Sequence, residues 1–446
     1  MIFLSAINNI FLIMYLPHWP IPSSFGKREI NYETVFFRMQ EVLSRLGNPH
    51  LRLPEVVHVT GTNGKGSTIA FLAAILQAKG LRTHIYTSPH LHNCNERIIL
   101  DGEKISDIFL FEVMEEARIA AASTSLTFFE GFTIGAFLAF AKTPADILLL
   151  ETGMGARIDA TNIIKQKLAT IITPISFDHT EYLGNSIAQI AMEKAHIIRP
   201  QTPTIIGPQP RQAMEIINIV AKDQNAKTIC YDKEFSILLD EENKAFDMKY
   251  FEDGICNLPS PILAGEHQYI NAATAIACAL TLPFNISQNH IEQGLRSAKW
   301  PSRLEKIGGN LTKTLKNPQS EILIDGAHNQ AGAFAIARFL ATKKEENPLI
   351  KNFIICGFSK NKCKKEFLEN FINIAEEVCA VRVDGEPNPE DAEIIAKIGK
   401  EIGLKIETHI DLFEAIFYLQ KNYGDAPCHI IICGSLHLAR DVKKFT

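Results

Sequence analysis

The sequence predicts an α/β protein with two domains: a P-loop-containing, doubly wound N-terminal domain and a smaller, Rossmann-like C-terminal α/β domain. The chain has 446 residues, which is more than a domain with a single hydrophobic core usually contains. Apolar strand-like runs alternate with helical patterns along most of its length. One of these runs, Val56 to Val59, leads into a glycine-rich turn that opens a helix.

The turn lies within residues 56–68 and is the motif around which the chain is organised. Three glycines surround Lys65, and Ser67 and Thr68 follow. Such a turn directs backbone N–H groups and a helix N-terminus at one spot, which suits a phosphate chain, and Lys65 adds a positive charge. Gly66 departs from the standard P-loop, in which the lysine is followed directly by Ser or Thr. A purely structural glycine turn is the alternative.

Polar side chains follow three further predicted strands. Ser88 follows the strand Arg82–Tyr86, Glu151 ends a continuous apolar run, and His179 lies shortly after a third strand. Because the carboxyl ends of parallel strands meet at one edge of a sheet, these groups are candidates to hold Mg²⁺ beside the phosphates. The alternatives are a capping role for Glu151 and a structural role for His179.

A helix over 186–198 carries Lys194, which the residues alone favour as a solvated helix lysine. Residues 229–260 predict a small antiparallel insertion, and helices follow at 272–280 and 290–298. We place the domain boundary near Trp300, with domains at 1–300 and 304–446. Strands of the second domain are expected at 321–325, 352–356, 378–383, 404–408 and 428–433. The basic cluster Lys360–Lys365 reads as a solvated helix face.

Composition indicates an ordinary globular protein, with 46% hydrophobic and 21% charged residues. The net charge of −5 gives no electrostatic footprint for nucleic acid or an anionic membrane. The nine cysteines form no C-x-x-C pair, and several, such as Cys356 and Cys433, lie in apolar runs. We interpret them as buried thiols in a reducing compartment.

The apolar segment Met1–Leu16 raises the question of a signal peptide. It lacks a basic n-region and a small-residue cleavage site, and Asn8-Asn9 interrupts it. The run is also too short to span a bilayer. An extension ahead of a true start at Met14 explains it equally well. We expect a cytoplasmic, unprocessed, monomeric protein with no nucleic-acid or membrane partner.

A series of motifs spans about residues 50 to 440. They are Gly61-Thr-Asn-Gly-Lys-Gly-Ser67, Ser88-Pro-His-Leu91 with Glu96-Arg97, Phe128-Phe-Glu130, Glu151-x-Gly-x-Gly-x-Arg-x-Asp-Ala-Thr-Asn162, Asp178-His179, Glu193-Lys194-Ala195, His267-Gln268-x-x-Asn271, Trp300-Pro-x-Arg303, Asp325-Gly-Ala-His-Asn329 and Gly434-Ser-Leu436. In this order they resemble the motifs of the folylpolyglutamate synthase/dihydrofolate synthase family, relatives of the Mur peptide ligases. The resemblance implies ligation of the L-glutamate amine to the carboxylate of a pterin-containing acceptor, dihydropteroate or a reduced folate. ATP phosphorylates that carboxylate, and glutamate displaces phosphate from the acyl phosphate.

The resemblance also implies roles for individual residues. Lys194 matches a lysine that the family carbamylates, which replaces the solvated interpretation of that residue, and ATP is expected to bind between closing domains. Mg²⁺ is expected in two sites, one at Ser88 and Glu151 and one at Glu151 and His179. The implied catalytic residues are Lys65, His179, Lys194 and His328. The implied ATP-binding residues are Gly61, Asn63, Gly64, Lys65, Gly66, Ser67, Asn271, Arg303 and Asp325. The implied acceptor-binding residues are Phe129, Glu130, Gly131, Phe132, Ile158, Asp159 and Ala160.

Three departures from the family pattern concern acceptor preference more than activity. Ala156 and Ser302 each replace a usual glycine, which narrows the acceptor loop or stiffens the linker, and Gly357–Lys362 replaces a different turn.

Two rival functions stay open. A cell-wall Mur ligase carries a UDP-sugar-binding domain ahead of the phosphate loop, whereas about 55 residues precede it here. A nucleotide-hydrolysing switch or transport module has no need of the acceptor motifs.

Overall fold

The computed structural model describes residues 32–240, 242–386 and 388–443. The segment Met1–Leu16 and the alternative start at Met14 lie outside the described residues. Within these ranges, no helix is both long enough and apolar enough to cross a membrane. The chain divides into two compact units. The first runs to Ile175 and includes His179–Ser260 and Asn271–Ala298, and the second comprises Ser176–Asp178, Pro261–Ile270 and the chain from Lys299. The domain limits 1–300 and 304–446 stay a prediction.

The first unit alternates strands and helices, as the sequence predicts. Its elements are α1 (Tyr32–Arg45), β1 (Glu55–Thr60), α2 (Lys65–Ala78), β2 (Thr83–Tyr86), β3 (Ile98–Leu100), β4 (Glu103–Lys104), α3 (Asp107–Ala121), α4 (Phe128–Lys142), β5 (Ile147–Glu151), β6 (Ala169–Ile172), α5 (Thr180–Leu183), α6 (Ile187–Ala195), β7 (Thr204–Ile206), α7 (Arg211–Asp223), β8 (Thr228–Cys230), β9 (Phe235–Asp240), β10 (Ala245–Tyr250), β11 (Asp253–Pro259), α8 (His267–Thr281) and α9 (Gln288–Ser297).

An eight-stranded sheet, in the order β4-β3-β2-β5-β1-β6-β7-β8, organises this unit. β1 pairs in parallel with β5 on one side and with β6 on the other, so that Val59 is the register partner of Glu151 and Thr60 that of Ile172. Every residue of β5 is buried, because helices cover both faces of a parallel sheet. The predicted insertion forms a separate antiparallel sheet, β11-β10-β9.

Helix α4 begins earlier than the sequence predicts. The apolar pattern of the sequence predicts a helix from Thr133 to about Phe140, whereas the structure starts the helix at Phe128. A capping box fixes the start: the Thr127 hydroxyl accepts from the Glu130 N–H at 3.2 Å, and the Glu130 carboxylate accepts from the Thr127 N–H at 2.9 Å. The Thr-x-x-Glu spacing of Thr127 and Glu130 is the local sequence signal of this helix start.

The second unit is a compact α/β body. Its further elements are β12 (Glu305–Lys306), β13 (Glu321–Ile324), α10 (Gln330–Glu346), β14 (Lys351–Cys356), α11 (Lys364–Leu368), β15 (Glu377–Val381), α12 (Ala392–Glu401), β16 (Ile406–His409), α13 (Leu412–Tyr423), β17 (Cys428–Cys433) and α14 (Leu436–Lys443). The sheet order is β12-β13-β17-β14-β15-β16, parallel except for the short β12.

Two expectations about side chains in this unit have opposite outcomes. Cys356 and Cys433 are fully buried register partners on β14 and β17, as expected, and burial raises the pKa of the Cys356 thiol to about 12. The interpretation of Lys360–Lys365 as a solvated face is wrong at Lys364. That side chain is buried and its Nζ lies 2.8 Å from the Glu390 carboxylate, because α11 packs against the loop that carries Glu390.

Candidate active site

The glycine-rich turn lies between β1 and α2. Gly64 is the N-cap of α2 and has a left-handed φ of 88°. Because glycine has no side chain, it cannot accept hydrogen bonds from the first N–H groups of the helix. A Cβ on Gly61 would lie 1.9 Å from Thr173 Oγ1, so the turn passes too close to the end of β6 for any side chain. The N–H of Thr62 donates to the Pro174 carbonyl at 3.1 Å, which fixes the turn to that strand end.

Lys65, Glu151 and Ser88 lie together beside this turn. Lys65 Nζ donates to the carbonyls of Gly61 at 3.2 Å and Thr62 at 3.0 Å, and it lies 3.8 Å from Glu151 Oε1. The other carboxylate oxygen of Glu151 accepts from the Ser88 N–H at 3.1 Å. Glu151 is only 4% exposed, so its charge interacts with Lys65 in a poorly solvated environment.

Ser67 presents a buried hydroxyl in the first turn of α2. It is 1% exposed, and its Oγ has no hydrogen-bond partner among the described residues. Leaving a buried hydroxyl unpaired costs about 1–3 kcal/mol, so such groups in native proteins normally have a ligand, ion or water partner. The position of Ser67 on a phosphate-type turn makes a phosphate oxygen or its metal ion a suitable partner.

His179 is the N-cap of α5 and has a left-handed φ of 49°. Its neighbour Asp178 belongs to the second unit. In the described part of the chain, no three His, Cys, Asp or Glu side chains come close enough together to hold a metal ion. A divalent ion at Ser88, Glu151 or His179 therefore needs phosphate oxygens and waters as additional ligands, which is how Mg²⁺ is usually bound.

Lys194 lies near the end of α6 and is buried, so the interpretation from the residues alone, a solvated helix lysine, is wrong. Its side chain packs inward, and its Nζ donates to the Gly61 carbonyl at 2.7 Å. The same carbonyl accepts from Lys65, so two lysines from different helices meet at the first residue of the turn. Asn271 of α8 approaches the same turn from another side. A Cβ on Gly64 would lie 2.4 Å from Asn271 Oδ1.

The loop after β5, residues 153–162, carries the expected acceptor residues Ile158, Asp159 and Ala160. The Asp159 carboxylate accepts from the N–H groups of Gly153 at 2.8 Å, Met154 at 2.9 Å and Thr161 at 3.0 Å. Burial raises the pKa of Asp159, and these donors, with the Thr161 hydroxyl, oppose that shift. Asp159 thus organises the loop itself. Ala156, within the same loop, is fully buried, and its φ is not positive.

The expected acceptor residues on α4 form the start of a buried helix. Phe132 is fully buried, Gly131 is buried beside it, and the Glu130 carboxylate pairs with Arg38 in addition to capping the helix. Phe129 is half-buried and lies against the acceptor loop, since a Cβ on Gly153 would meet its ring at 2.6 Å. Phe129 therefore connects α4 with the loop that carries Asp159.

Arg303, Asp325 and His328 lie in the second unit. The Asp325 carboxylate accepts from the N–H groups of Leu304 and Ala327, each at 2.8 Å. His328 Nδ1 lies 2.9 Å from the Gly326 carbonyl and Nε2 lies 3.1 Å from Asp178 Oδ2. Each ring nitrogen of His328 therefore faces an oxygen that can accept a hydrogen bond. The other Asp178 oxygen accepts from Lys362 at 2.7 Å.

Comparison with known proteins decides the family. Residues 59–279 match the family model of the Mur ligase middle domain, and residues 309–445 match that of the dihydrofolate synthetase C-terminal domain. A dihydrofolate synthase/folylpolyglutamate synthase of Bacillus subtilis is 31% identical over 434 residues, covering 94% of this chain and 96% of that protein. The chain belongs to the dihydrofolate synthase/folylpolyglutamate synthase family. The Mycobacterium tuberculosis relative is 32% identical over 426 residues, covering 89% of this chain and 84% of its own.

Solved structures of this family have the same fold. Folylpolyglutamate synthase of Mycobacterium tuberculosis complexed with ADP superposes with a TM-score of 0.85 at 29% identity, with 98% of each chain covered. Escherichia coli FolC in complex with DHPP and ADP gives 0.83 at 26% identity, with 97% of each covered. The Yersinia pestis family member with Mn, AMPPNP and L-glutamate bound gives 0.81 at 27% identity, with 97% of each covered. The predicted fold class and the predicted family are confirmed.

The structure also contains two features that the sequence analysis did not assign. Arg97 is buried with its guanidinium 5.5 Å from the ring centroids of Phe128 and Phe132, and the Glu96-Arg97 motif was noted without a role. Arg157 of the acceptor loop pairs with Glu193 at 2.5 Å. Nothing in the spacing of these two residues pointed to that contact, because it depends on how α6 packs.

Proposed function

We propose that this protein joins the α-amine of L-glutamate to the carboxylate of a pterin-containing acceptor, dihydropteroate, a reduced folate, or both. As a family member it is an ATP-dependent ligase. The observation that carries the proposal is the convergence of Lys65, Lys194 and Glu151 on the glycine turn, with Lys65 and Lys194 sharing the Gly61 carbonyl and Lys65 lying 3.8 Å from Glu151. That arrangement concentrates charge where a triphosphate would bind.

The reaction needs the acceptor carboxylate to become a better electrophile. One carboxylate oxygen attacks the γ-phosphorus of ATP, the bond to the bridging oxygen breaks, and ADP leaves. The glutamate amine then attacks the acyl carbon, the bond to the phosphate oxygen breaks, and phosphate and a proton are released. Lys65 and the N–H groups of Gly64, Gly66 and Ser67 would hold the phosphates. Gly61 and Asn63 would shape the turn, and Asn271, Arg303 and Asp325 would contact the nucleotide.

The residues present suit a divalent ion, which when bound would neutralise charge on the triphosphate. Ser67 offers a buried hydroxyl without a protein partner, and Glu151 a buried carboxylate. We assign Ser88 and Glu151 to one Mg²⁺ and Glu151 and His179 to a second.

Carbamylation of Lys194 is part of the proposal. Its buried Nζ lies beside the turn, and the modified side chain would place an anion there instead of a cation. Intact-mass spectrometry of protein kept in bicarbonate tests it. An unmodified mass in fully active protein would rule it out.

The acceptor is proposed to contact Phe129 and the loop at Ile158, Asp159 and Ala160, with Glu130, Gly131 and Phe132 supporting Phe129 from within α4. His328 would act from the second unit as a donor. The protein is further proposed to be a cytoplasmic monomer, which light scattering after size-exclusion chromatography tests for the oligomeric state.

The central experiment is ADP release by purified protein with ATP, Mg²⁺ and glutamate, comparing dihydropteroate with a reduced folate. Release with both acceptors indicates a bifunctional enzyme, and release with one names its activity. Release that needs neither glutamate nor acceptor supports a nucleotide-hydrolysing switch and would refute the ligase proposal.

A further inference from the structure

Lys167 is a buried lysine outside every motif used above. It lies between the acceptor loop and β6, and it is 9% exposed. Its Nζ donates to Asn162 Oδ1 at 2.8 Å and to the Ile197 carbonyl at 3.1 Å. Asn162 ends the acceptor loop, and Ile197 follows the end of α6, the helix that carries Lys194. The ammonium group of Lys167 thus connects the acceptor loop to the end of α6.

Asn162 uses the whole of its amide group in this connection. Oδ1 also accepts from Arg199 Nη2 at 2.7 Å, and Nδ2 donates to the carbonyls of Ala156 at 2.8 Å and His196 at 3.1 Å. Two donors and two acceptor sites are all that an asparagine side chain offers. A side chain held by four hydrogen bonds has one orientation, so Asn162 fixes the loop at Ala156 against the end of α6.

A second connection runs between the same two segments. The N–H of Arg157 donates to the Glu193 carbonyl at 3.1 Å, and the two side chains form an ion pair. Lys194, the next residue, reaches the Gly61 carbonyl of the phosphate turn. The acceptor loop, α6 and the phosphate turn are therefore linked by consecutive polar contacts.

Lys167 is an unfavourable choice for packing alone. Burial, together with the positive charge of Arg199, lowers the pKa of Lys167, and Asp159 opposes this shift only in part. His58 is also buried here. Its Nε2 forms a hydrogen bond with the Thr161 hydroxyl, and its side chain supplies no negative charge that could balance the charge of Lys167. An apolar side chain of similar length would avoid the desolvation of a cation, so the hydrogen bonds of Lys167 have to account for its presence.

We propose that Lys167 is a positioning residue that holds the acceptor loop against α6, and thereby sets the distance between the bound acceptor and the Lys194 end of the site. The inference rests on the proposed function. Lys167 touches neither substrate in this assignment, since it acts through Asn162. Removing it should loosen the loop and weaken acceptor binding while leaving the phosphate turn intact.

The test compares Lys167→Met with Lys165→Met. The control makes the same substitution two residues away at an exposed position. Hydrogen exchange of the unliganded protein is measured by mass spectrometry for peptides covering 153–162 and 190–199, and steady-state kinetics give KM for the acceptor and for ATP. Lys167→Arg, which keeps a charged donor, serves as the conservative variant.

We expect Lys167→Met to speed exchange at 153–162 at least about tenfold and to raise the acceptor KM by about tenfold, with the ATP KM changed less than about twofold. Lys167→Arg should restore part of both effects, and Lys165→Met should match the wild type. Should Lys167→Met not fold, Arg199→Met, which removes the other cationic donor to Asn162, carries the same expectation.

Unchanged exchange at 153–162 in Lys167→Met overturns the proposal, as does an equal rise across the whole chain. An equal rise in both KM values overturns it too, because it would indicate general loosening. If the wild type shows no ligase activity, the proposed function fails, while the exchange comparison still decides whether Lys167 holds the loop.

Discussion

Replacing Ser302 by glycine should stabilise the protein, although the substitution removes atoms from a buried site. Ser302 is 1% exposed and has a left-handed φ of 57°, a backbone conformation that residues with a Cβ rarely adopt. Its backbone is nevertheless held firmly. The Ser302 N–H donates to the Glu305 carboxylate at 2.7 Å, and its carbonyl accepts from the Gly326 N–H at 3.0 Å. The conformation is therefore imposed on the residue by its surroundings.

The magnitude follows from three contributions. A left-handed conformation costs a non-glycine residue about 1–2 kcal/mol. The Ser302 hydroxyl has no hydrogen-bond partner among the described residues, which costs about 1–3 kcal/mol. Glycine opposes these gains, because its greater freedom in the unfolded chain costs about 0.5–1 kcal/mol. Allowing for lost packing of the Cβ, we expect Ser302→Gly to raise the free energy of unfolding by about 1–2 kcal/mol.

Differential scanning calorimetry tests this expectation, with Ser302→Ala as the matched variant. Alanine removes the unpaired hydroxyl but keeps the Cβ that the backbone disfavours, so it should recover only part of the gain. A rise in Tm of roughly 2–4 °C per kcal/mol is expected for a unit of this size. A lower Tm for Ser302→Gly would refute the reasoning, and equal Tm values for the two variants would show that relief of backbone strain does no more than offset the greater freedom of glycine in the unfolded chain and the lost Cβ packing.

Three further predictions concern the first unit. Gly64→Ala should raise the ATP KM at least about tenfold, because its Cβ would lie 2.4 Å from Asn271 Oδ1, and an unchanged KM in a titration would contradict this close approach. Glu151→Gln and His179→Ala should lower kcat about a hundredfold or more while Tm shifts little, and wild-type turnover in both would contradict the metal assignment. Burial lowers the pKa of His58 well below 6.5, so below that pH the unfolded state binds a proton that the folded state does not. As the pH is lowered below 6.5, the free energy of unfolding should therefore decrease by up to about 1.4 kcal/mol per pH unit. His58→Gln should reduce this dependence in thermal melts recorded between about pH 7 and 5.

Local signals were sufficient to predict most of the elements. The strand before the phosphate turn and the turn itself were readable because buried parallel strands are continuously apolar and because glycine marks a tight turn. The adjacency of Glu151 to that turn followed from sheet geometry. The apolar pattern beyond Thr133 places the start of α4 too late, and the capping box at Thr127 and Glu130 is the local signal that gives the correct start.

Burial of charged side chains was the part that the residues alone did not reveal. Lys194 and Lys364 both lie in short helices directly beside another charged residue, Glu193 and Lys365 respectively, a pattern that is typical of solvated faces. Each is buried because a distant segment supplies an acceptor: the Gly61 carbonyl for Lys194 and the Glu390 carboxylate for Lys364. Those partners are more than 20 residues away, so only the fold brings them together. The resemblance to the family indicates that Lys194 is functionally important, but it does not indicate the contact of Lys194 with the Gly61 carbonyl.

The buried cysteines give the protein an intrinsic probe of its own unfolding. Cys356, Cys379, Cys428 and Cys433 are buried in the second unit, whereas Cys230 and Cys278 are buried in the first. A thiol becomes reactive only when it is exposed and ionised, and burial suppresses both properties here. Pulsed alkylation followed by peptide mapping would therefore time the opening of each unit separately, in the native sequence and without an added label.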